Sequence, residues 1–265
     1  MESFLTYKDK RIAYKIRGKG KAIVMLHGFM ESMKIWDDMA KDLSKDYQII
    51  TLDLPGFGLS DSFDSIHTME FMTDIVDRLL NFLEIKKCIL VGHSMGGYIA
   101  LSFAEKYAEK LNGLVIFHSQ AKADTAEAKN NRERAIEVIA SDKGRFILNF
   151  IPDLFAPDNV EKHRKKINSL IKHSEKFSKK GIIAAIEGMK NRDDKTHVLK
   201  NADVPILFIL GKLDPRVPFQ DVMKQVAMPK HSELLLLSDV GHMGFIEAES
   251  KCLRSIKSFA DRIHY

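Results

Sequence analysis

Cysteine is nearly absent, with two in 265 residues, and that excludes a disulfide-built scaffold. Cys88 lies inside an apolar run and Cys252 on an apolar stripe near the end of the chain, so both read as buried thiols. No apolar run approaches the about 20 residues that span a bilayer. Residues Met1 to Lys10 lack the positive start, apolar stretch and small-residue cleavage site of a secretory leader. The expectation is therefore a cytoplasmic protein with no membrane partner. Charge of one sign is lacking too: 41 Lys and Arg are interleaved with 36 Asp and Glu, for a net charge of +5. Such a surface offers no field for a nucleic acid. There is no internal repeat, low-complexity tract or interdomain linker. What the chain does have is 45% hydrophobic residues, enough at this length to bury a large core in one domain.

Apolar periodicity divides the chain into alternating strands and helices. Phe4 to Tyr7 and Arg11 to Ile16 alternate apolar and polar positions and predict an antiparallel pair at a sheet edge. Ala22 to Leu26 is continuously apolar, the mark of a strand covered on both faces. Trp36, Met39, Ala40 and Leu43 then repeat at helical spacing. Tyr47 to Leu52 is the next strand. Met72, Ile75, Val76, Leu79, Leu80 and Leu83 mark the next helix, and Cys88 to Val91 and Leu114 to Phe117 are two more strands. This alternation predicts an α/β fold with parallel strands and right-handed crossovers. From about Ser119 to Arg192 the strands stop. Only charged helical stretches remain, broken near Gly144, Pro152, Pro157 and Gly181, with Asp158 and Glu161 reading as a capping box. Its Lys and Arg cluster between Lys162 and Lys180 reads as a solvated helix face. Strands resume at Pro205 to Leu210 and Glu233 to Leu237. A last helix carries Cys252, Leu253, Ile256, Phe259, Ala260 and Ile263 on one stripe.

The chemistry centres on Gly92-His93-Ser94-Met95-Gly96-Gly97. A serine between two glycines, after a strand and before a helix, is the setting of a nucleophile elbow. Its side chain clears the backbone only in a strained turn, and Cβ atoms at Gly92 and Gly96 would obstruct it. The same turn leaves the Met95 amide at a helix start, able to donate to a developing oxyanion. A serine needs a base, and the base needs an orienting acid. His242 follows the last strand and Asp214 the strand before it, so both fall on the rim where the elbow opens. As general base, His242 contributes typically about 10²- to 10⁴-fold. Asp239, three residues from His242 in the same loop, is poorly placed to reach its far nitrogen, and Asp214 is preferred. His27 and His93 are set aside as bases, because His27 serves loop geometry and His93 points away from the serine. His118 follows a strand and is expected to line the pocket. The second oxyanion donor should come from the loop after the first central strand, which makes it the Phe29 amide.

With those residues in view, the chain resembles the α/β-hydrolase superfamily, and within it the capped single-domain enzymes related to esterases, enol-lactonases, carbon–carbon bond hydrolases and cofactor-free haloperoxidases. His27-Gly28-Phe29, Asp53-Leu54-Pro55-Gly56-Phe57-Gly58-Leu59-Ser60, the elbow, Gly211-Lys212-Leu213-Asp214 and Gly241-His242 occur in family order. The resemblance implies a mostly parallel eight-stranded sheet flanked by helices. Residues 1–118 and 193–265 would form the core, and 119–192 a helical cap inserted after the sixth strand. Ser94 argues against relatives that carry aspartate at the elbow. The expected function is hydrolysis of an ester, lactone or related acyl bond of a small, partly apolar substrate, with no metal or cofactor. Carbon–carbon bond hydrolysis and a hydrolase-fold receptor are the alternatives. Phe146, Phe150 and Met243 are expected in the pocket with His118, and Phe155, Phe177 and Met189 are further apolar candidates. Arg145 and Arg216 are the cations an acidic substrate would need. The oligomeric state is left open.

Overall fold

The structure, a computed structural model, describes residues 2–263. Its strands are β1 (Ser3–Tyr7), β2 (Lys10–Arg17), β3 (Ala22–Leu26), β4 (Gln48–Leu52), β5 (Cys88–His93), β6 (Leu111–Phe117), β7 (Ile206–Gly211) and β8 (Ser232–Leu237). They form one eight-stranded sheet in the order β1-β2-β4-β3-β5-β6-β7-β8. β2 runs antiparallel to β1 and β4, and every pair from β4 to β8 is parallel. The continuously apolar β3 and β5 are buried at every residue, at the centre of the sheet. Leu26 lies beside Gly92 and His93 beside Phe117. The loops that follow these strands therefore emerge along one edge.

The helices are α1 (Asp37–Leu43), α2 (Met69–Phe82), α3 (Met95–Lys106), α4 (Ala126–Phe150), α5 (Arg164–Ser174), α6 (Lys179–Lys190), α7 (Thr196–Lys200), α8 (Phe219–Val226), α9 (Gly244–Glu247) and α10 (Glu249–Ile263). The stripe beginning at Met72 is the buried face of α2, which Thr68 caps by accepting from the Phe71 amide at 3.1 Å. Cys252, Ile256, Phe259 and Ala260 form the buried face of α10. No helix among the described residues is long and apolar enough to cross a membrane.

Between β6 and β7 the chain is helical, as its pattern predicts, but its breaks differ in detail. The break expected near Gly144 interrupts α4 at Asp142 (φ −141°, ψ 85°), two residues before the glycine. The Asp142 carboxylate accepts from the Arg145 amide at 2.9 Å and so caps the second half of the helix. Near Gly181 the helices part between Ser174 and Lys179, and Gly181 itself sits in the first turn of α6, where its amide donates to Ser178 Oγ at 3.0 Å. The Asp158–Glu161 capping box does not form. Pro157 to Asn159 instead make a tight 3₁₀ turn, and α5 starts at Arg164 with no side-chain cap. Pro157 presets φ for that turn, and Glu161 pairs with the Arg164 guanidinium.

Candidate active site

Ser94 stands at φ 51°, ψ −115°, between the end of β5 and the first turn of α3. A side-chain-bearing residue avoids that backbone region, at a cost of about 1–3 kcal/mol, so the surroundings must impose it. They do so by close backbone approach. A Cβ on Gly92 would stand 2.3 Å from the Gly96 carbonyl oxygen, and one on Gly96 would stand 2.6 Å from the Leu26 carbonyl oxygen. The Ser94 amide donates to the Phe117 carbonyl at 2.9 Å, and Ser119 Oγ donates to the Ser94 carbonyl at 2.7 Å. The expected elbow is therefore present, tied to the neighbouring strand.

Asp214 lies just past β7 and His242 past β8, and the two meet. His242 Nδ1 is 2.8 Å and 3.0 Å from the two Asp214 oxygens, with both side chains buried. The amides of Arg216 and Val217 donate to Asp214 Oδ1 at 2.8 Å and 3.0 Å, and His118 Nδ1 lies 3.0 Å from Oδ2. Burial alone would raise the Asp214 pKa. The nearby His242, with the hydrogen bonds from both histidines, overcomes this and holds the carboxyl well below its ordinary range. With Nδ1 engaged by the acid, Nε2 is the nitrogen left to His242 for a reaction partner. Asp239 is exposed, and its backbone carbonyl accepts from Asn159 Nδ2 at 2.8 Å.

His118, expected to line the pocket, makes its hydrogen bond to Asp214. It is fully buried behind Asp214, stacked on Phe117 with ring centroids 5.2 Å apart, and its Nε2 has no hydrogen-bond partner. Burial pushes its pKa down against the pull of Asp214. His118, Asp214 and His242 are the one grouping among the described residues whose potential metal-binding atoms converge, within 4.8 Å of one another. Both Nδ1 atoms, however, sit at 2.8–3.0 Å from carboxylate oxygens. That is donor–acceptor spacing, closer than the about 3.3 Å separating two ligands of a tetrahedral zinc with 2.0 Å bonds.

The loop after β3 carries Phe29. His27 Nδ1 donates to the Gly28 carbonyl at 2.8 Å, while the Leu54 amide donates to His27 Nε2 at 2.9 Å. Both ring nitrogens are thus assigned in a neutral imidazole, in keeping with burial, which lowers its pKa. Asp53 accepts from the Met33 and Leu59 amides, each at 2.8 Å, and so joins the Asp53–Ser60 motif to the same loop. Phe29 meets Phe150 edge-on at 5.6 Å, and Phe150 stacks on Phe146 at 5.1 Å. Phe57 meets both Phe29 and Phe177, at 6.0 Å and 5.5 Å. Met243 is fully buried beside His242 in the chain. Arg216 lies over Phe150 at 4.9 Å and pairs with Asp153, and Arg145 is exposed.

Glu31, which sequence reasoning missed, sits inside this arrangement with His93, which it set aside as a base. Glu31 Oε2 accepts from the Gly28 amide at 2.6 Å and lies 3.0 Å from His93 Nδ1, while His93 Nε2 lies 2.9 Å from the His242 carbonyl oxygen. The available signal was an acidic residue four positions after His27, within an apolar neighbourhood.

A strained serine at a strand–helix turn, on the carboxyl edge of a mostly parallel sheet and accompanied by a buried Asp–His pair, is an arrangement of hydrolytic enzymes. A family model for the alpha/beta hydrolase fold matches residues 21–249. The chain belongs to that family and is a hydrolase. It is 24% identical over 253 residues to the AB hydrolase superfamily protein YisY of Bacillus subtilis, covering 92% of this chain and 93% of that one. Among solved structures, a thermophilic esterase from Thermogutta terrifontis superposes with a TM-score of 0.94 at 28% identity, over the whole of both chains. An enol-lactonase from Burkholderia xenovorans superposes at 0.91 and 19% identity, over 98% of this chain and 100% of that one, and shares the fold.

Proposed function

We propose that the protein is a serine hydrolase that cleaves an ester, lactone or related acyl bond of a small, partly apolar substrate through an acyl-enzyme. The observation carrying this reading is the buried Asp214–His242 pair, 2.8 Å apart, on the same sheet edge as the strained Ser94. Ser94 Oγ attacks the acyl carbon and passes its proton to His242 Nε2, while Asp214 orients the ring and offsets the imidazolium charge. The Phe29 and Met95 amides receive the oxyanion. His242 then returns the proton to the departing alcohol, and a water repeats the sequence to free the acid. Phe29, Phe146 and Phe150 supply an apolar wall, and residues 119–192 act as the cap that closes it. The esterase similarity at 28% identity supports this choice of bond.

Intact mass after incubation with a fluorophosphonate, alongside p-nitrophenyl esters of increasing chain length, tests the reading in wild type and Ser94→Ala. One adduct, absent from Ser94→Ala, with turnover that depends on chain length is expected. Wild-type turnover no faster than that of Ser94→Ala overturns it.

A further inference from the structure

We propose that Glu31 and His93 form a charged buried pair that locks the oxyanion loop to the base loop, which makes them positioning residues for the reaction at Ser94. The inference rests on the proposed function for its catalytic consequence, but not for its central observation. Glu31 is 2% exposed and His93 is fully buried. Both ring nitrogens of His93 face oxygens: Glu31 Oε2 at 3.0 Å and the His242 carbonyl at 2.9 Å. A carbonyl oxygen can only accept, so Nε2 must carry a proton. A neutral ring would then set the Nδ1 lone pair against the carboxylate, unless Glu31 held the proton. The Gly28 amide, donating to the same Glu31 oxygen at 2.6 Å, favours the ionised carboxylate. Imidazole is also the stronger base. The proton therefore belongs to His93.

His93 is shielded from water by Trp36, Phe117 and Phe245, whose rings lie 6.4, 5.7 and 5.1 Å from its own. The other ionisable groups facing it are His27, His118, His242 and Asp214. Burial works against both charges, yet Glu31 sits below its ordinary pKa and His93 above its own, because each is held by the other.

The consequence is geometric. Gly28 precedes the Phe29 amide, His93 precedes Ser94, and the His242 carbonyl belongs to the base itself. Two side chains thus join the loop after β3 and the end of β5 to the loop after β8, a strand that neighbours neither of them in the sheet. Glu31→Gln preserves shape and an acceptor for Gly28 but removes the charge, so an unpaired buried His93 cation would lose its proton. Loop misplacement of less than 1 Å is enough to lower kcat by roughly 10- to 100-fold with KM within about 3-fold, because ground-state binding does not use this register.

Side-chain ¹⁵N NMR of the full wild-type chain reads the pair directly, with the His93 signals identified by their loss in His93→Asn. Two protons on His93 from pH 6 to pH 9 are expected, and a singly protonated ring at pH 7 overturns the proposal. For positioning, a folded Glu31→Gln with unchanged kcat overturns it. Should that variant not fold, wild-type kcat should fall on the alkaline side in step with loss of the second His93 proton, and a kcat that stays flat through that titration overturns it equally. A doubly protonated His93 in a chain without ester turnover would sink the proposed function and leave the pair standing.

Discussion

Two segments flank β6, and they are held in opposite ways. The stretch from β5 through the elbow into α3 is buried almost throughout and held backbone against backbone. The helical stretch between β6 and β7 begins with α4, a 25-residue helix in which only Ile139 and Ile147 are fully covered. That stretch is fastened at a few seams. Gly181 and Gly188 bring α6 against the loop at Gly56 and His67, where a Cβ on Gly188 would stand 1.8 Å from the His67 carbonyl oxygen. At the end of α5, Ser174 Oγ donates to the Met30 carbonyl at 2.8 Å, and His173 Nε2 lies 2.7 Å from Ser32 Oγ. A third seam runs from the His242 amide to the Leu154 carbonyl at 2.7 Å. The elbow is specified by what cannot fit, and the helical stretch by where it is fastened. All three seams fall on loops that carry or adjoin the candidate site.

The sharpest break of this comparison lies in the elbow and its acid. Gly92→Ala should cost on the order of 4 kcal/mol or more, because its Cβ meets backbone that cannot yield, and chemical denaturation would register it. Asp214→Asn should lower ester turnover by about 10⁴-fold through loss of the base's orientation. The same change removes acceptors from a group that takes four donors, so its melting temperature should fall as well. Unchanged turnover in a folded Asp214→Asn would remove Asp214 from the proposed triad.

Next in size are changes at the seams. Gly188→Ala should displace α6 and lower the melting temperature by several degrees, at roughly 2–4 °C per kcal/mol for a domain of this size. The fluorophosphonate adduct should still form, since the elbow is untouched, while preference among ester chain lengths shifts. Equal loss of adduct and of chain-length preference would mean that seam and elbow are one unit.

Acid should loosen the same seam by a smaller amount. His67, whose amide donates to the Ala184 carbonyl of α6 at 2.9 Å, is pushed down to a pKa of about 4 by burial. Between the unfolded value near 6.5 and this lower one, the unfolded chain binds more protons, so stability falls as pH falls through that window. The urea midpoint of wild type should therefore drop more from pH 7 to pH 4.5 than that of His67→Asn. Parallel declines would remove His67 from the account. The smallest effect belongs to the open face of α4, where Val138 is 41% exposed: Val138→Ser should stay within about 0.5 kcal/mol of wild type in a melting experiment.

Legibility in the sequence followed the same division. β3, β5 and the stripes of α2 and α10 could be read because burial on both faces, or on one stripe, writes a periodic pattern. The break in α4 was legible only to within two residues, because an exposed helix carries little such pattern and the side-chain cap from Asp142 sets the point of interruption. The Asp158–Glu161 signature failed because Pro157 claims the segment for a tighter turn. The contact of His118 with Asp214 was illegible for another reason: its position after a strand says that it reaches the rim, but not which partner its ring takes.

By itself the sequence determined the elbow, the alternation of strands and helices and the order in which Ser94, Asp214 and His242 arrive at one edge, because each depends on local backbone geometry or on periodicity within an element. Only the tertiary structure decided the strand order, the second histidine on Asp214 and the Glu31–His93 pair that joins the loop after β3 and the end of β5 to the loop after β8. The side-chain contacts among them join residues 62 to 149 positions apart, and a buried polar group takes whichever partner the packed chain brings within hydrogen-bond reach.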